Sequence, residues 1–330
     1  MSRLLPIAAA ALLAACKYAD PCFTPQSKVE DLRVLAISVD PAEPAVDLAA
    51  GSVEPVRLRA LIAHAGGSSG TFNVSWSLCV PGEQPGCPEG TSVATDREWT
   101  RDSQIELRVP AGLIAAAAAA DPLRGLAGIR VLAMLRVEGA TPASASTPIL
   151  FSSSLGQRNQ APAMVGLRFA TATEPPADAL DPLPLVVGRP TGLRPVLAPG
   201  ALEEYDTTDF SGTPVHLQER VRYSFYGTPG LAIGRLDYNG IAPAPLVFYP
   251  GGNDSEAEEP PPGTPESQAG LILVEAVRRG NFNGTLWIVA RDSRGGVSWR
   301  EVRVSSVEED PACQGPPPRN GCAQLDFGCF

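Results

Sequence analysis

Apolar and polar residues alternate over short segments along most of the chain, which is the pattern of half-buried β-strands. In segment 56–62 (VRLRALI), valine, leucine, alanine and isoleucine share one face, and Arg57 and Arg59 lie on the other. The same period of two predicts strands at 32–39, 72–78, 104–109, 129–137 and 147–152. The first half of the chain is therefore predicted to be a set of strands separated by turns.

An alanine-rich run interrupts these strands. Residues 113–120 (LIAAAAAA) predict a short helix between the strands at 104–109 and 129–137, ended by Asp121-Pro122. Six or seven strands in roughly 120 residues, with Trp76 on the third of them, predict an immunoglobulin-like sandwich. Cys79 falls on the opposite face from Trp76, so the cysteine pair that links the sheets of antibody domains is not expected.

The strand pattern restarts after 159–162 (NQAP), which marks a domain boundary. Segment 292–296 (DSRGG) predicts the turn of a hairpin, with Asp292 as a turn former and glycines where positive φ is required. Strands are predicted at 164–169, 192–197, 219–226, 271–277, 284–291 and 297–304. The fold class is therefore all-β, with two tandem immunoglobulin-like β-sandwich domains.

The N-terminal segment has the features of a signal peptide: Arg3, an apolar stretch at 4–12 too short to span a bilayer, and small residues before a cysteine. Leu13-Ala14-Ala15-Cys16 resembles a bacterial lipobox. The resemblance implies that Cys16 carries fatty acyl chains such as palmitate and begins the mature protein. A secretory signal cut elsewhere is the alternative. Lys17 stands where inner-membrane lipoproteins commonly carry aspartate, which points by resemblance to the outer membrane.

These features divide the chain into five parts. They are a signal peptide (1–15), a lipidated tether (16–30), a first sandwich (31–156), a second sandwich (157–308) and an irregular tail that contains cysteines (309–330). Within the second sandwich, the segment near 253–266 is acidic and rich in proline. It is predicted to be disordered because it offers too few apolar residues to bury.

Composition narrows the classes of function. The chain has 34 prolines in 330 residues, about twice the ordinary usage, which fits many short strands joined by turns. Its 36 acidic residues against 26 basic ones disfavour a nucleic-acid partner, because phosphate binding requires a concentrated positive face. No second apolar run is long enough to cross a bilayer, so the N-terminal lipid is predicted to be the sole membrane anchor.

Acylation of Cys16 leaves six of the seven cysteines, an even number that suits disulfides in an exported protein. Cys79 and Cys87 bracket a loop rich in glycine and proline and are the preferred pair. The pairing of the others stays open; they are Cys22, Cys313, Cys322 and Cys329. These spacings match no zinc pattern, so no metal site and no cofactor are predicted.

Segment 66–70 (GGSSG) fits the G-x-S-x-G pattern of serine hydrolases, with Ser68 as nucleophile and His216 as a conceivable partner. A nucleophile elbow requires a strand before the serine and a helix after it, whereas a strand follows here. Ser68 is therefore predicted to lie in a hairpin loop, and His64 to lie at the rim of a strand. The sequence predicts no catalytic residue and no enzyme activity.

Calcium is a second candidate ligand, because exported sandwich modules often hold it between carboxylates. An acidic cluster lies in the proline-rich segment; it consists of Asp254, Glu256, Glu258 and Glu259. The spacing required of a calcium-binding loop is missing, and a charge run of this kind is ordinarily solvated.

Four short motifs carry a resemblance to a family: 31–37 (DLRVLAI), 40–44 (DPAEP), 75–79 (SWSLC) and 290–299 (ARDSRGGVSW). They resemble myxobacterial outer-membrane lipoproteins with immunoglobulin-like or PKD-like repeats. The resemblance implies the fold and the location and assigns no functional residue.

Three hypotheses about function follow. The first is a non-enzymatic envelope protein, anchored in the membrane by its lipid, that serves as a structural module or binds an envelope protein or glycan. A calcium-dependent adhesion or glycan-binding module is the alternative, and a serine hydrolase is the third.

Overall fold

The computed structural model describes residues 27–82, 87–88, 92–121, 128–152, 158–169, 180–186, 191–208, 211, 213–229, 231–237, 240–242, 272–276 and 283–307. Within these ranges the chain is all-β apart from one short helix, as the alternating pattern predicts. The predicted signal peptide, the acidic segment near 253–266 and the tail at 309–330 lie outside the described residues.

The first sandwich consists of two antiparallel sheets. Its elements are β1 (Arg33–Asp40), β2 (Val46–Asp47), β3 (Ser52–Val53), β4 (Val56–Ala63), β5 (Phe72–Cys79), β6 (Ser92–Trp99), β7 (Gln104–Leu107), α1 (Ala111–Ala120), β8 (Ile129–Val137) and β9 (Ala143–Phe151). One sheet has the order β1-β4-β7 and the other has the order β6-β5-β8-β9. Strands β2 and β3 form a separate two-stranded ribbon.

The core of the first sandwich lies between its two sheets. Trp76 on β5 and Trp99 on β6 are both buried, with ring centroids 5.6 Å apart. Helix α1 contributes Ile114 and Ala117 to the same core. The helix predicted from the alanine run is therefore present. It ends at Ala120 and is followed by Asp121 as C-cap; the next residue in the sequence is a proline, which cannot continue a helix.

The second sandwich also has two sheets. Its elements are β10 (Met164–Phe169), β11 (Leu183–Val186), β12 (Thr191–Leu197), β13 (Glu204–Thr208), β14 (Pro214–Gln218), β15 (Val221–Gly227), β16 (Leu231–Asp237), β17 (Gly240–Ala242), β18 (Ile272–Ala276), β19 (Asn283–Asp292) and β20 (Val297–Val307). The sheets have the orders β10-β12-β18-β16-β17 and β11-β20-β19-β15, and β11 runs parallel to β20. Strands β13 and β14 form a ribbon of their own.

Eight of the described strands were not expected from the sequence: β2, β3, β6, β11, β13, β14, β16 and β17. Segment 92–99 (SVATDREW) carries charged and polar residues in succession, so its apolar residues do not mark a face. Four of the five residues of β14 are exposed, which leaves its apolar residues without a periodic pattern. Cross-strand hydrogen bonding, which alternation does not report, stabilises these strands.

The end of the predicted tether belongs to the folded body. The N–H of Val29 donates to the carbonyl oxygen of Gly227 at 2.9 Å, and the N–H of Gly227 donates to the carbonyl oxygen of Ser27 at 2.8 Å. Val29 is fully buried. Residues 16–30 were predicted to be a tether, but Ser27 to Val29 are part of the folded body. Three residues are too few to show an alternating pattern, and their pairing partner, Gly227, is distant in the sequence.

The sheets of the two sandwiches stack face to face. The β1-β4-β7 sheet has the first core on one side and a further apolar layer on the other. The β11-β20-β19-β15 sheet has that same layer on one side and the second core on the other. Four sheets thus enclose three apolar layers. The middle layer joins the sandwiches and positions the polar groups described next.

Candidate functional site at the junction of the two sandwiches

The two sandwiches meet through a buried apolar layer. Its members come from β1, β4, β19, β20 and the N-terminal segment; they are Val29, Leu35, Ala36, Leu61, Ala63, Trp287, Val289 and Val297. The guanidinium of Arg59 lies 5.3 Å from the ring centroid of Trp299 at the edge of this layer. The guanidinium of Arg291 donates to the carbonyl oxygen of Leu35 at 2.8 Å, which links β19 to β1.

Asp292 organises the turn between β19 and β20. Its Oδ1 atom accepts hydrogen bonds from the backbone N–H groups of Arg294 and Gly296, each at 2.8 Å. Gly295 has a φ of +101°, as expected for a glycine in this turn. A Cβ on Gly296 would overlap Asp292 Oδ2 and would lie 2.9 Å from the Cα of Ala161. The turn is therefore closely packed against the segment that links the sandwiches.

The linker between the sandwiches is bound to both of them. The backbone N–H of Asn159 donates to Glu43 Oε2 in the first sandwich at 3.0 Å. Its side-chain Nδ2 lies 3.3 Å from each carboxylate oxygen of Asp292 in the second. Asn159 is 2% exposed, so these bonds are shielded from water. The N–H of Gln160 donates to Glu203 Oε2 at 3.3 Å.

Arg294 reaches across the junction among three glutamates. Its Nη2 donates to Glu43 Oε2, and its Nη1 lies 3.4 Å from Glu203 Oε2 and 3.8 Å from Glu219 Oε1. The guanidinium also lies 4.6 Å from the ring centroid of Tyr205, a cation–π contact. We call this group the polar junction; it comprises Glu43, Asn159, Glu203, Glu219, Asp292 and Arg294.

Glu219 is the most deeply buried acid of the polar junction, with a side chain that is 0% exposed. Its Oε2 accepts the N–H of Glu203 at 3.1 Å, whereas its Oε1 has no hydrogen-bond partner. The pKa of Glu219 is raised to about 7, chiefly by burial and also by the negative charges of Asp292 and Glu203, while the hydrogen bond from Glu203 and the charge of Arg294 act to lower it. Burial also raises the pKa of Asp292.

The opposite end of the same interface contains Ser68. Ser68 is 2% exposed, and its hydroxyl donates to Glu301 Oε2 on β20. The indole N–H of Trp287 donates to the same carboxylate oxygen at 3.1 Å, and Arg101 lies 3.6 Å from the other oxygen. Ser68 therefore lies in the loop between β4 and β5 and fastens it to the second sandwich; the loop connects two different sheets and is not the hairpin that was predicted.

Neither histidine reaches Ser68 through a described contact. His64 follows β4, and its Nε2 contacts the carbonyl oxygen of Ser69 at 2.8 Å. His216 lies on the exposed β13-β14 ribbon, 2.9 Å from Asp206 Oδ1. The carboxylates of Asp206 and Glu204 raise the pKa of His216. The serine of the hydrolase hypothesis thus has no described contact with the His216–Asp206 pair.

The remaining candidate residues have different outcomes. Cys79 and Cys87 are joined by a disulfide, with Cα atoms 5.5 Å apart. The other predicted site residues lie outside the described part of the chain; they are Cys16, Cys22, Cys313, Cys322, Cys329, Asp254, Glu256, Glu258 and Glu259.

A shallow groove of about 350 Å³ runs beside the polar junction. Its walls are the edge strands β1 and β9 and the turn between β19 and β20. Across the described ranges, no three acidic, histidine or cysteine side chains converge as ligands for a metal ion. No helix in the same ranges has the length and apolar content required to cross a membrane.

Sequence reasoning identified Asp292 only as a turn former and did not identify the rest of the polar junction. One signal was available for the interface itself. Segments 34–37 (VLAI), 60–63 (ALIA) and 286–290 (LWIVA) are continuously apolar, which is typical of strands buried on both faces. The acids offered no comparable signal, because a buried glutamate has the same sequence context as a solvated one.

Comparison with known proteins assigns this chain to no family. No protein-family profile matches it, and no curated protein matches it. Among solved structures, a red sea bream transglutaminase covers 83% of this chain at 9% identity and a TM-score of 0.24, with 31% of the transglutaminase covered. A tetra-tandem repeat from the extending region of a large adhesion protein covers 84% at 11% identity and a TM-score of 0.20, with 49% of that protein covered.

A structure described as concerning host cell surface retention of a 1.5-MDa bacterial ice-binding adhesin covers 84% of this chain at 10% identity and a TM-score of 0.21. This chain spans 64% of that structure, and so less than two thirds of each of the three. The β-sandwich architecture of this protein is shown by the order and packing of its own sheets.

Proposed function

We propose that this chain is a non-enzymatic, lipid-anchored protein of the cell envelope that serves as a structural or interaction module. The observation that carries the proposal is the pairing of Ser27 to Val29, close after the lipobox-like motif, with the second sandwich. Ser27 to Val29 begin only eleven residues after Cys16, and they are hydrogen-bonded to Gly227 of the second sandwich. Val29 is buried in the layer between the sandwiches. An attachment at Cys16 would therefore hold both sandwiches as one body.

The surroundings of Ser68 support a role without catalysis. A nucleophilic serine requires an adjacent base and access for a substrate. Ser68 instead donates to Glu301 within an interface where it is 2% exposed. The indole N–H of Trp287 donates to the same oxygen of Glu301, so the partner of Ser68 is itself held in place within the interface.

The anchor follows from the chemistry of a processed lipoprotein cysteine. One acyl chain binds a membrane only marginally, whereas two or three chains anchor stably, at about 0.8 kcal/mol for each buried methylene. The outer membrane is the proposed location, and an envelope protein or glycan is the proposed class of partner.

Membrane fractionation of wild type and Cys16→Ala tests the proposal, with mass spectrometry of the N-terminal peptide. We expect wild type in the membrane fraction with an acylated Cys16, and Cys16→Ala released or left as an uncleaved precursor. Cys22→Ala is the matched control, because it removes a nearby thiol outside the lipobox-like motif and should leave the protein in the membrane. Unmodified Cys16 in a soluble, correctly cleaved wild type would refute the lipid anchor.

A further inference from the structure

The polar junction places more negative than positive charge among largely buried side chains. Four carboxylates lie in it, each on a residue less than 10% exposed; they belong to Glu43, Glu203, Glu219 and Asp292. The cation among them is Arg294, whose side chain is 11% exposed. With every acid ionised, this group would carry an excess of three negative charges. Buried charges are stable only when each has a compensating partner.

Hydrogen bonds compensate three of the four carboxylates well. Glu43 accepts from Arg294 and from the N–H of Asn159. Asp292 accepts from two backbone N–H groups of its turn and from the Asn159 amide. Glu203 accepts from Gln160 and from Arg294. Glu219 has one carboxylate oxygen bonded to a backbone N–H, while its other oxygen is buried without a hydrogen bond and lies 3.8 Å from Nη1 of Arg294.

We propose that the polar junction binds a proton at Glu219 and that this proton controls how tightly the two sandwiches dock. Among the described residues, three charged groups face Glu219: Glu203, which precedes β13, Asp292 at the end of β19, and Arg294 in the turn that follows β19. Through Arg294 it is coupled to Glu43 of the first sandwich, and Tyr205 of β13 covers the guanidinium. When Glu219 is neutral, Arg294 interacts with the carboxylates of Glu43 and Glu203. An ionised Glu219 adds repulsion toward Glu203 and Asp292.

The direction of the pH dependence follows from linkage. The pKa of Glu219 is about 7 in the folded protein, against 4.5 for an ordinary glutamate. The folded state therefore binds a proton more tightly than the unfolded state does. The stabilising contribution is complete below pH 4.5 and is lost as the pH rises through about 7. For these two pKa values, the folding equilibrium constant decreases about tenfold between pH 6 and pH 8.5.

Glu219→Gln is the test variant, because the amide has the shape of a protonated carboxyl and does not ionise in this range. His216→Gln is the matched control. The pKa of His216 is also raised, by Asp206 and Glu204, so its contribution is likewise lost with rising pH. His216 is exposed and lies on the β13-β14 ribbon, where its contacts are with its own hairpin.

Two quantities are measured on the full chain between pH 6 and pH 8.5: the unfolding equilibrium constant in urea, and hydrogen exchange of the Asn159 and Gln160 amides after correction for intrinsic exchange. We expect wild type and His216→Gln to lose about tenfold in folding constant and a similar factor in protection of both amides. Glu219→Gln should show no change in amide protection and only the stability change that remains from His216. Persistence of both changes in Glu219→Gln would overturn the proposal, and so would a stability change without a change in amide protection.

A second measurement covers the case in which Glu219→Gln does not fold. Carbon-13 labelling of the glutamate carboxyl groups in wild type reports each titration directly. We expect one glutamate to titrate near pH 7. Titration of every glutamate below about pH 5.5 would overturn the proposal, because an ordinary glutamate titrates near 4.3.

Discussion

At the scale of single residues, the turn between β19 and β20 shows how one side chain joins two domains. Asp292 fixes the turn by accepting hydrogen bonds from the backbone N–H groups of Arg294 and Gly296. The turn positions the guanidinium of Arg294 against Glu43 of the first sandwich. A Cβ on Gly296 would meet Asp292 and the backbone of the linker. Glycine is required here by close approach, whereas at Gly295 it is required by a φ of +101°.

Gly296→Ala should lower the free energy of unfolding by about 1–3 kcal/mol, the usual cost of overpacking a closely fitted site. The displaced atoms are Asp292 Oδ2 and the Cα of Ala161, so the junction must open to accept the methyl group. Urea unfolding measures the change.

Gly112→Ala serves as the control for this substitution. Gly112 lies in α1 with no atom within 4 Å of an added Cβ, and alanine favours a helix by up to about 1 kcal/mol. This variant should be as stable as wild type or more stable. Equal stability of Gly296→Ala and wild type would contradict the close packing of the turn.

At the scale of elements, burial on both faces distinguishes the strands of the middle layer. Strand β19 sends Leu286 and Ile288 into the second core and Trp287 and Val289 into the layer between sandwiches. The outer strands have one apolar face, so their period of two is clear in the sequence. The loop after β5 is closed in a different way, by a disulfide from Cys79 to Cys87.

Replacing both Cys79 and Cys87 by alanine should lower the free energy of unfolding by about 2–3 kcal/mol, because a disulfide restricts the unfolded chain and this loop is short. The bond closes a sequence separation of eight residues. Urea unfolding of the variant and of wild type under non-reducing conditions gives the difference. Peptide mapping that found either thiol bonded to Cys22 or to a C-terminal cysteine would show the connectivity to be different.

At the scale of the whole molecule, a continuous apolar layer couples the two sandwiches. Trp287 is fully buried in that layer, and its indole N–H also bonds Glu301 at 3.1 Å. The polar junction and the bond from Ser68 to Glu301 lie at the two ends of the same interface. Because the layer is a core in its own right, we expect the described part of the chain to unfold as one cooperative unit.

Trp287→Ala should remove about 3–5 kcal/mol from the coupled unit and divide a single unfolding transition into two, since the lost contacts lie between the sandwiches. Phe225→Ala is the matched control. Phe225 pairs with Ile288 on β19, yet its side chain lies in the second core. Differential scanning calorimetry should show one lowered transition for this control. A single transition in Trp287→Ala would indicate that the layer does not carry the coupling.

The sequence by itself determined the fold class and most strands. Period-two alternation, as in strand β8 (Ile129–Val137), depends on one buried face and one face that is more exposed, and both are properties of neighbouring residues. The helix at 111–120 was equally local, because alanine propensity and the following Asp121-Pro122 set its extent. The spacing of Cys79 and Cys87 indicated their pairing for the same reason.

Only the tertiary structure decided which surfaces meet. Val29 and Leu61 resemble ordinary apolar residues in the sequence, and they become interface residues because a second sandwich covers them. Glu219 acquires its raised pKa chiefly from burial and also from the charges of Asp292 and Glu203, which only the fold brings beside it. Desolvation and charge coupling act through space, so the sequence pattern that specified the strands contained no record of the polar junction.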